Sequence, residues 1–231
     1  MTTMDINQPR PLEGEINRYR LLLYGDHGIG KSTVAMQLVR RKGLWLTADS
    51  TWTMALTDEW KAKIDRIPWE LLSQIPTISE RLKSGVLDYD LAILDPTSTV
   101  LGEALVKFVD KYKLGAQRAP NLPEYGHYYM VKREAETLVK AMREVPCDVV
   151  YVCHTKEDRN RPNMNEEAAK ALYRECNLIG YMSRGTDKIR RIQLEPTSGT
   201  IAKTQIPGIP EGTYEASKFI SMLRDWKDSR G

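Results

Sequence analysis

Residues 25–32 read Gly25-Asp26-His27-Gly28-Ile29-Gly30-Lys31-Ser32 and meet the pattern G-x-x-x-x-G-K-[ST] in full. Such a loop dictates its surroundings. Its glycines let backbone N–H groups curl round a phosphate, and the helix that follows turns its positive end to the same anion, so a strand must precede it and a helix must follow. Both flanks are present. Residues 19–24 (YRLLLY) form a short apolar run suited to a buried strand, and residues 31–41 place Val34, Leu38 and Val39 on one helical face. Gly43 closes that helix and residues 44–48 (LWLTA) read as a second strand. The chain therefore opens as a βαβ unit, whose crossover demands a parallel sheet. Lys31 is expected to reach the β- and γ-phosphates of a nucleotide and Ser32 to coordinate Mg²⁺, with Asp26, His27, Ile29 and Thr33 completing the cradle.

The rest of the chain alternates in the same way. A polar, helix-prone stretch over residues 58–84 leads into residues 90–95 (DLAILD), the clearest buried strand. Helices are expected over 99–113 and 128–145, the second ended by Pro146, with a break at 115–123 between them. Residues 148–153 (DVVYVC) read as another buried strand of β-branched residues, followed by a polar, mobile loop over 154–167 and a helix over 166–175. Residues 177–182 and 188–195 flank a Ser-Arg-Gly-Thr-Asp turn, a hairpin signal; a short strand near 200–203 and a helix over about 214–226 close the chain. The expected fold is α/β, a mainly parallel sheet flanked by helices with a C-terminal antiparallel hairpin. Residues 1–15, with Pro9 and Pro11, read as a flexible arm, and residues 16–231 as a single domain.

Composition narrows the class. Thirty-four basic against 31 acidic side chains leave a net charge of +3, so any basic surface must arise by local clustering. Cys147, Cys153 and Cys176 lack metal-ligand spacing and read as small buried residues of a reducing compartment. There is no apolar leader and no run of about 18 apolar residues, so a soluble, cytoplasmic protein without membrane contact is expected.

A carboxylate at the end of a buried strand is the second component of the phosphate chemistry. Asp95 ends the buried strand and suits the Walker B role of holding Mg²⁺; capping the turn that follows is the alternative. Asp49, just past the second strand, would face the same crevice and could activate a water, or be a solvated turn residue. His154, after the DVVYVC strand, is placed to sense the γ-phosphate, or is a satisfied structural histidine.

Taken in order, GDHGIGKST, LTADSTW, LAILD, EYGHYYMVKREAETLVKAM, DVVYVCHTKED and TIAKTQIPG resemble the RecA-like ATPases, particularly the compact core-only members encoded by phages as annealing recombinases. The resemblance runs from about Arg18 to Pro210. It implies ATP and Mg²⁺ as cofactors, hydrolysis of ATP, and a catalytic base after the second strand, usually glutamate and here Asp49. It assigns His154 to the sensor position and Lys203 to a late element that often reaches the neighbouring subunit's γ-phosphate; Gln205 stands where similar sequences often carry arginine. It also implies self-assembly into a ring or filament, single-stranded DNA as ligand and a single-strand DNA-binding protein as a possible partner.

In that family DNA lies against the loops after the Walker B and sensor strands. The corresponding regions hold Lys107, Lys111, Lys113 and Arg118, then Lys156, Arg159 and Arg161, with Tyr125, Tyr128 and Tyr129 available for stacking on unpaired bases. The plainer reading makes the lysines a solvated helix face and the tyrosines core residues. Arg184, Arg190 and Arg191 form a third basic group suited to DNA or to a subunit interface. Three other classes compete with a recombinase: a nucleotide-switched regulatory or adaptor ATPase, a helicase-type motor, and a small-molecule kinase with the 156–161 segment as its lid.

Overall fold

The computed structural model describes residues 17–48, 57–69, 72–112, 123–156 and 159–230. Its centre is a strand, β1 (Arg20–Gly25), whose leucines serve both faces of one sheet. Leu22 and Tyr24 join one apolar cluster, and Leu21 and Leu23 join the other. Each fully buried leucine contributes roughly 1.5–3 kcal/mol relative to exposure, which is why a strand this apolar belongs in the middle.

The parallel core of the sheet contains β3 (Ile64–Pro68), β2 (Gly43–Thr47), β4 (Leu91–Asp95), β5 (Asp148–Lys156), β1 and β7 (Leu178–Arg184), side by side in that order. Beyond β7 the sheet turns antiparallel through β8 (Arg190–Gln193) and β10 (Thr213–Glu215), and β9 (Lys203–Thr204) pairs with the start of β7. A mainly parallel sheet with a C-terminal antiparallel hairpin was the expectation, and it holds.

Helices cover both faces. Helix α1 (Lys31–Gln37) and helix α7 (Ala216–Asp228) pack Val34, Ala35, Phe219 and Leu223 into the cluster that holds Leu21. On the opposite face lie α3 (Gln74–Lys83), α4 (Thr97–Lys111), α5 (Tyr125–Arg143) and α6 (Glu166–Glu175). A short helix, α2 (Asp58–Lys63), precedes β3. No described helix is long and apolar enough to cross a membrane.

Four details depart from the sequence reading. The first helix stops at Gln37 rather than near 41, because the Asp90 carboxylate accepts the N–H groups of Arg40, Arg41 and Lys42 at 2.9, 3.1 and 2.7 Å and draws the chain off the helix. The stretch 58–84 contains the edge strand β3, which pairs with β2 and ends in Pro68, a residue tolerated at an edge because it has no N–H to offer. The expected loop after residue 153 is instead a ribbon: β5 continues to Lys156, and β6 (Arg159–Pro162) pairs back on it antiparallel. Helix α5 begins at Tyr125, earlier than 128, with Glu124 and His127 forming a reciprocal cap.

The cysteines are free and buried, as expected. Burial pushes the thiols of Cys147 and Cys176 up to about 12, so neither is a nucleophile near neutrality.

Candidate functional site

All the parallel strands end at one edge, and strand register decides which side chains meet there. Gly25 is level with His154 across β1 and β5, and Thr47 is level with Asp95 across β2 and β4. Because β5 lies between β1 and β4, the phosphate loop, His154 and Asp95 share one crevice at the carboxyl ends of the strands, where open α/β sheets bind ligands. The cleft measures about 560 Å³ and is lined by the loop (His27, Gly28, Gly30), by Lys31, Ser32 and Thr33, and by Thr47, Ala48, Asp95, Pro96, Thr99 and His154 across from it.

The loop's glycines have separate reasons. A Cβ on Gly25 would collide with the carbonyl oxygen of Met182 on β7. Gly30 has φ of 97°, a left-handed conformation that side chains resist, and it forms the N-cap of α1.

Lys31 is 4 % exposed, and its ammonium donates to the carbonyls of Gly25 at 2.8 Å and Asp26 at 2.6 Å. Burial lowers its pKa, and the negative charge of Asp95 works against that shift. His154 Nδ1 lies 3.4 Å from Lys31 Nζ; an ammonium can only donate, so Nδ1 is the acceptor and the ring carries its proton on Nε2. The His154 backbone N–H donates to Ser98 Oγ at 3.1 Å, tying β5 to the start of α4. Thr155 Oγ1 donates to the Asp26 carboxylate, so β5 also grips the phosphate loop directly.

Two features escaped sequence reasoning. The rings of His27 and His154 stack at 3.6 Å with 13° between their planes, a pairing that only the Gly25–His154 register could have disclosed. His127 is fully buried: its Nδ1 accepts the Glu124 N–H at 2.9 Å, so its Nε2 is the donor to Tyr112 O at 2.6 Å, locking the end of α4 to the start of α5.

The residues fit a nucleotide with a hard cation. Among the described residues no group of three or more His, Cys, Asp or Glu could hold a metal, so a transition-metal centre finds no ligand set there. Mg²⁺ asks for less, typically one or two protein oxygens with water and phosphate supplying the remainder, and Ser32 and Asp95 both line the cleft.

With this geometry in place, comparison with protein families matches residues 17–206 to the AAA domain family. The chain belongs to that family. Its cleft is accordingly that of an AAA-type P-loop ATPase domain, a nucleotide-binding and nucleotide-hydrolysing module. A search of curated proteins found no match.

The remaining candidates are dispersed. Asp49 lies outside the described residues, directly after Ala48 in the chain. Lys203 is not brought to the cleft: it lies on β9 opposite Ile179, donates to the Tyr173 carbonyl at 3.0 Å, and has its pKa lowered by partial burial. Lys156 and Arg159 face each other across the β5–β6 ribbon, and Arg161 is exposed. Lys107 and Lys111 are exposed on α4, Tyr125 and Tyr129 are 86 % and 52 % exposed on α5, and Tyr128 is half-buried. Lys113 and Arg118 lie outside the described residues. The third basic group separates: Arg191 pairs with Asp187 at 3.0 Å, Arg184 Nε donates to the Lys188 carbonyl at 3.0 Å, and Arg190 lies against Gly30.

Proposed function

We propose that the protein is an ATP-dependent, single-stranded-DNA-binding recombination or annealing protein, of the kind that compact phage RecA-like proteins represent. The observation that supports the DNA half is the surface at the α4–α5 junction. Tyr125 and Tyr129 stand in solvent on α5, Lys107 and Lys111 stand exposed on α4, and Tyr112 stands exposed just after α4, where His127 fastens it to α5. Exposed aromatic rings beside lysines suit unpaired bases and their phosphates, and each stacked base contributes roughly 1–3 kcal/mol. The basic β5–β6 ribbon, with Lys156, Arg159 and Arg161, would add backbone contacts.

In the ATPase half, Lys31 and the loop amides stabilise negative charge that develops on the transferred phosphoryl group. Ser32 and Asp95 would hold Mg²⁺, which supplies further neutralisation of that charge. His154, bonded to Lys31, reports on the phosphate position through β5. Asp49 is the proposed base, so Asp49→Asn should keep nucleotide binding and stop hydrolysis; turnover that persists would remove it from the role. Lys203 would act on a neighbouring subunit's phosphates in a ring or filament, and a single-strand DNA-binding protein is a further partner on this reading.

A regulatory ATPase acting on a protein is the second reading. A partly apolar groove of about 360 Å³ lined by Leu72, Val100, Ala104 and Phe108, with Val106 60 % exposed on the same helix, favours it. The deciding measurement is the ATPase rate with and without single-stranded DNA at two salt concentrations. Stimulation that fades as salt rises supports the DNA reading; a rate indifferent to DNA, with no binding, transfers the function to a protein partner.

A further inference from the structure

The phosphate cleft runs from the loop across β5 to the ends of β4 and β2, where His154, Asp95 and Thr47 line it. The stacked rings of His27 and His154 and the Thr155–Asp26 hydrogen bond join the loop to β5 on that side. Towards β7 and β8 stands a second groove of about 310 Å³ between the β7–β8 hairpin and the start of α7, lined by Arg184, Lys188, Ile189, Arg190, Glu215 and Ser217 with Ala216. Arg190 joins the two spaces. Its guanidinium lies 3.0–3.1 Å from where a Cβ of Gly30 would be, yet Arg190 belongs to the lining of the second groove and not of the first. Among the described residues the guanidinium has no hydrogen-bond or ion-pair partner, whereas its neighbours Arg184 and Arg191 are both engaged.

We propose that this second groove is the nucleoside subsite, and that the Arg190 guanidinium is the plate on which the purine base of the bound nucleotide stacks. The assignment rests on the nucleotide-binding reading of the cleft and adds to it the place of the base. The chemistry matches. A planar, weakly hydrated guanidinium stacks on aromatic faces. Ile189, 38 % exposed, offers apolar surface, while the Glu215 carboxylate and Ser217 hydroxyl can meet a base amino group or the ribose hydroxyls. The volume is at the lower end of small-molecule sites, which suits a nucleoside whose phosphates lie elsewhere. Lys31 already serves the phosphates from within the cleft, so a second cation outside it is suited to a different part of the ligand.

The test separates the base from the phosphates. Dissociation constants are measured by calorimetry for ADP and for inorganic pyrophosphate, on the full chain, its Arg190→Ala variant and its Arg190→Lys variant. The expected result is about tenfold weaker ADP binding in Arg190→Ala, a change of ~1.4 kcal/mol, with pyrophosphate binding within about twofold. Arg190→Lys should recover less than half of the loss on a logarithmic scale, since it restores charge without the plane. It also serves as the folded variant should Arg190→Ala melt early. An equal loss for both ligands would make Arg190 a phosphate contact, and no loss for either would leave it without a role in binding; each overturns the proposal. A wild-type chain that binds pyrophosphate but gains nothing from the nucleoside also overturns it, whereas a wild-type chain that binds neither would sink the nucleotide reading underneath.

Discussion

The two strands beside β1 do opposite kinds of work. On one side β5 reaches the phosphate loop with side chains: His154 stacks on His27 and accepts from Lys31, and Thr155 bonds Asp26. On the other side β7 meets the loop chiefly with backbone, its Met182 carbonyl pressed where a Gly25 side chain would be. The β5 flank is chemistry that could be removed without disturbing the sheet. The β7 flank is shape, and shape is what the sheet cannot give up. Substitutions on the first should alter rate at constant stability, and substitutions on the second should alter stability or affinity before rate.

The comparison breaks most visibly at Lys31, which β5 holds through His154. Lys31→Ala should lower ATP turnover at least about a hundredfold, since charge stabilisation of this kind is commonly that large, while the melting temperature moves little. Removing the ammonium frees the Gly25 and Asp26 carbonyls but also relieves its own desolvation, so the net cost to fold stability should be small. A variant that unfolds would make Lys31 a structural member of the loop and blur the two flanks. Gly25→Ala is the counterpart. Its Cβ would force β1 and β7 apart, costing about 1–3 kcal/mol as overpacking does, read as a lower denaturant midpoint with unchanged slope. An unchanged midpoint would mean the close approach is not a constraint.

What was readable from the sequence follows the same division. The phosphate loop, the Asp95 strand and the DVVYVC strand are local patterns, and local patterns survive translation into structure: β1, β4 and β5 stand where they were expected. The family match over residues 17–206 agrees with that reading at its coarser level. What was not readable depends on partners distant in sequence. Asp90 ends the first helix from nearly fifty residues away. The strand β3 has one buried side chain, Ile64, in IDRIP, too little alternation to announce an edge strand. The strand β6 reads RNRP, with no apolar run to announce it, which is why it resembled a loop. Arg184, Arg190 and Arg191 are close in sequence and so read as one basic group, yet cross-strand register and the Asp187 turn give each a separate task. His127 had a usable signal, a polar side chain three residues after Glu124 at a helix start, the spacing of a capping box.

Within the β5 flank the effects should grade. His154→Ala removes the acceptor facing Lys31 and half of the ring stack, and turnover should drop roughly tenfold to a hundredfold with nucleotide affinity nearly kept. His27→Ala removes only the other half, so a loss of less than about tenfold is expected, an offset ring contact contributing ~0.5–1.5 kcal/mol. Single-turnover rates beside equilibrium binding distinguish the two. Equal losses in both variants would mean that the stack, not the His154 nitrogen, carries the effect.

The smallest effect belongs to the hairpin that presents Arg190. Its turn is held by Asp187, which accepts the Ile189 N–H at 3.0 Å and pairs with Arg191. The Arg191 guanidinium is the main cause holding the Asp187 carboxyl down to about 2, from an ordinary 3.8. A depressed acid stabilises the fold above its unfolded pKa and loses that contribution as pH falls through the folded value, so the turn should stay closed from neutrality down to about pH 3 and loosen only below. The Ile189 amide resonance reports this directly, because its hydrogen bond is to the titrating oxygen. Little movement between pH 5 and pH 3 is expected, and a transition centred near pH 4 would show that the ion pair does not hold in solution. Asp187→Asn should then shift the same resonance at pH 7, while ATP turnover and the β5 flank remain as they were.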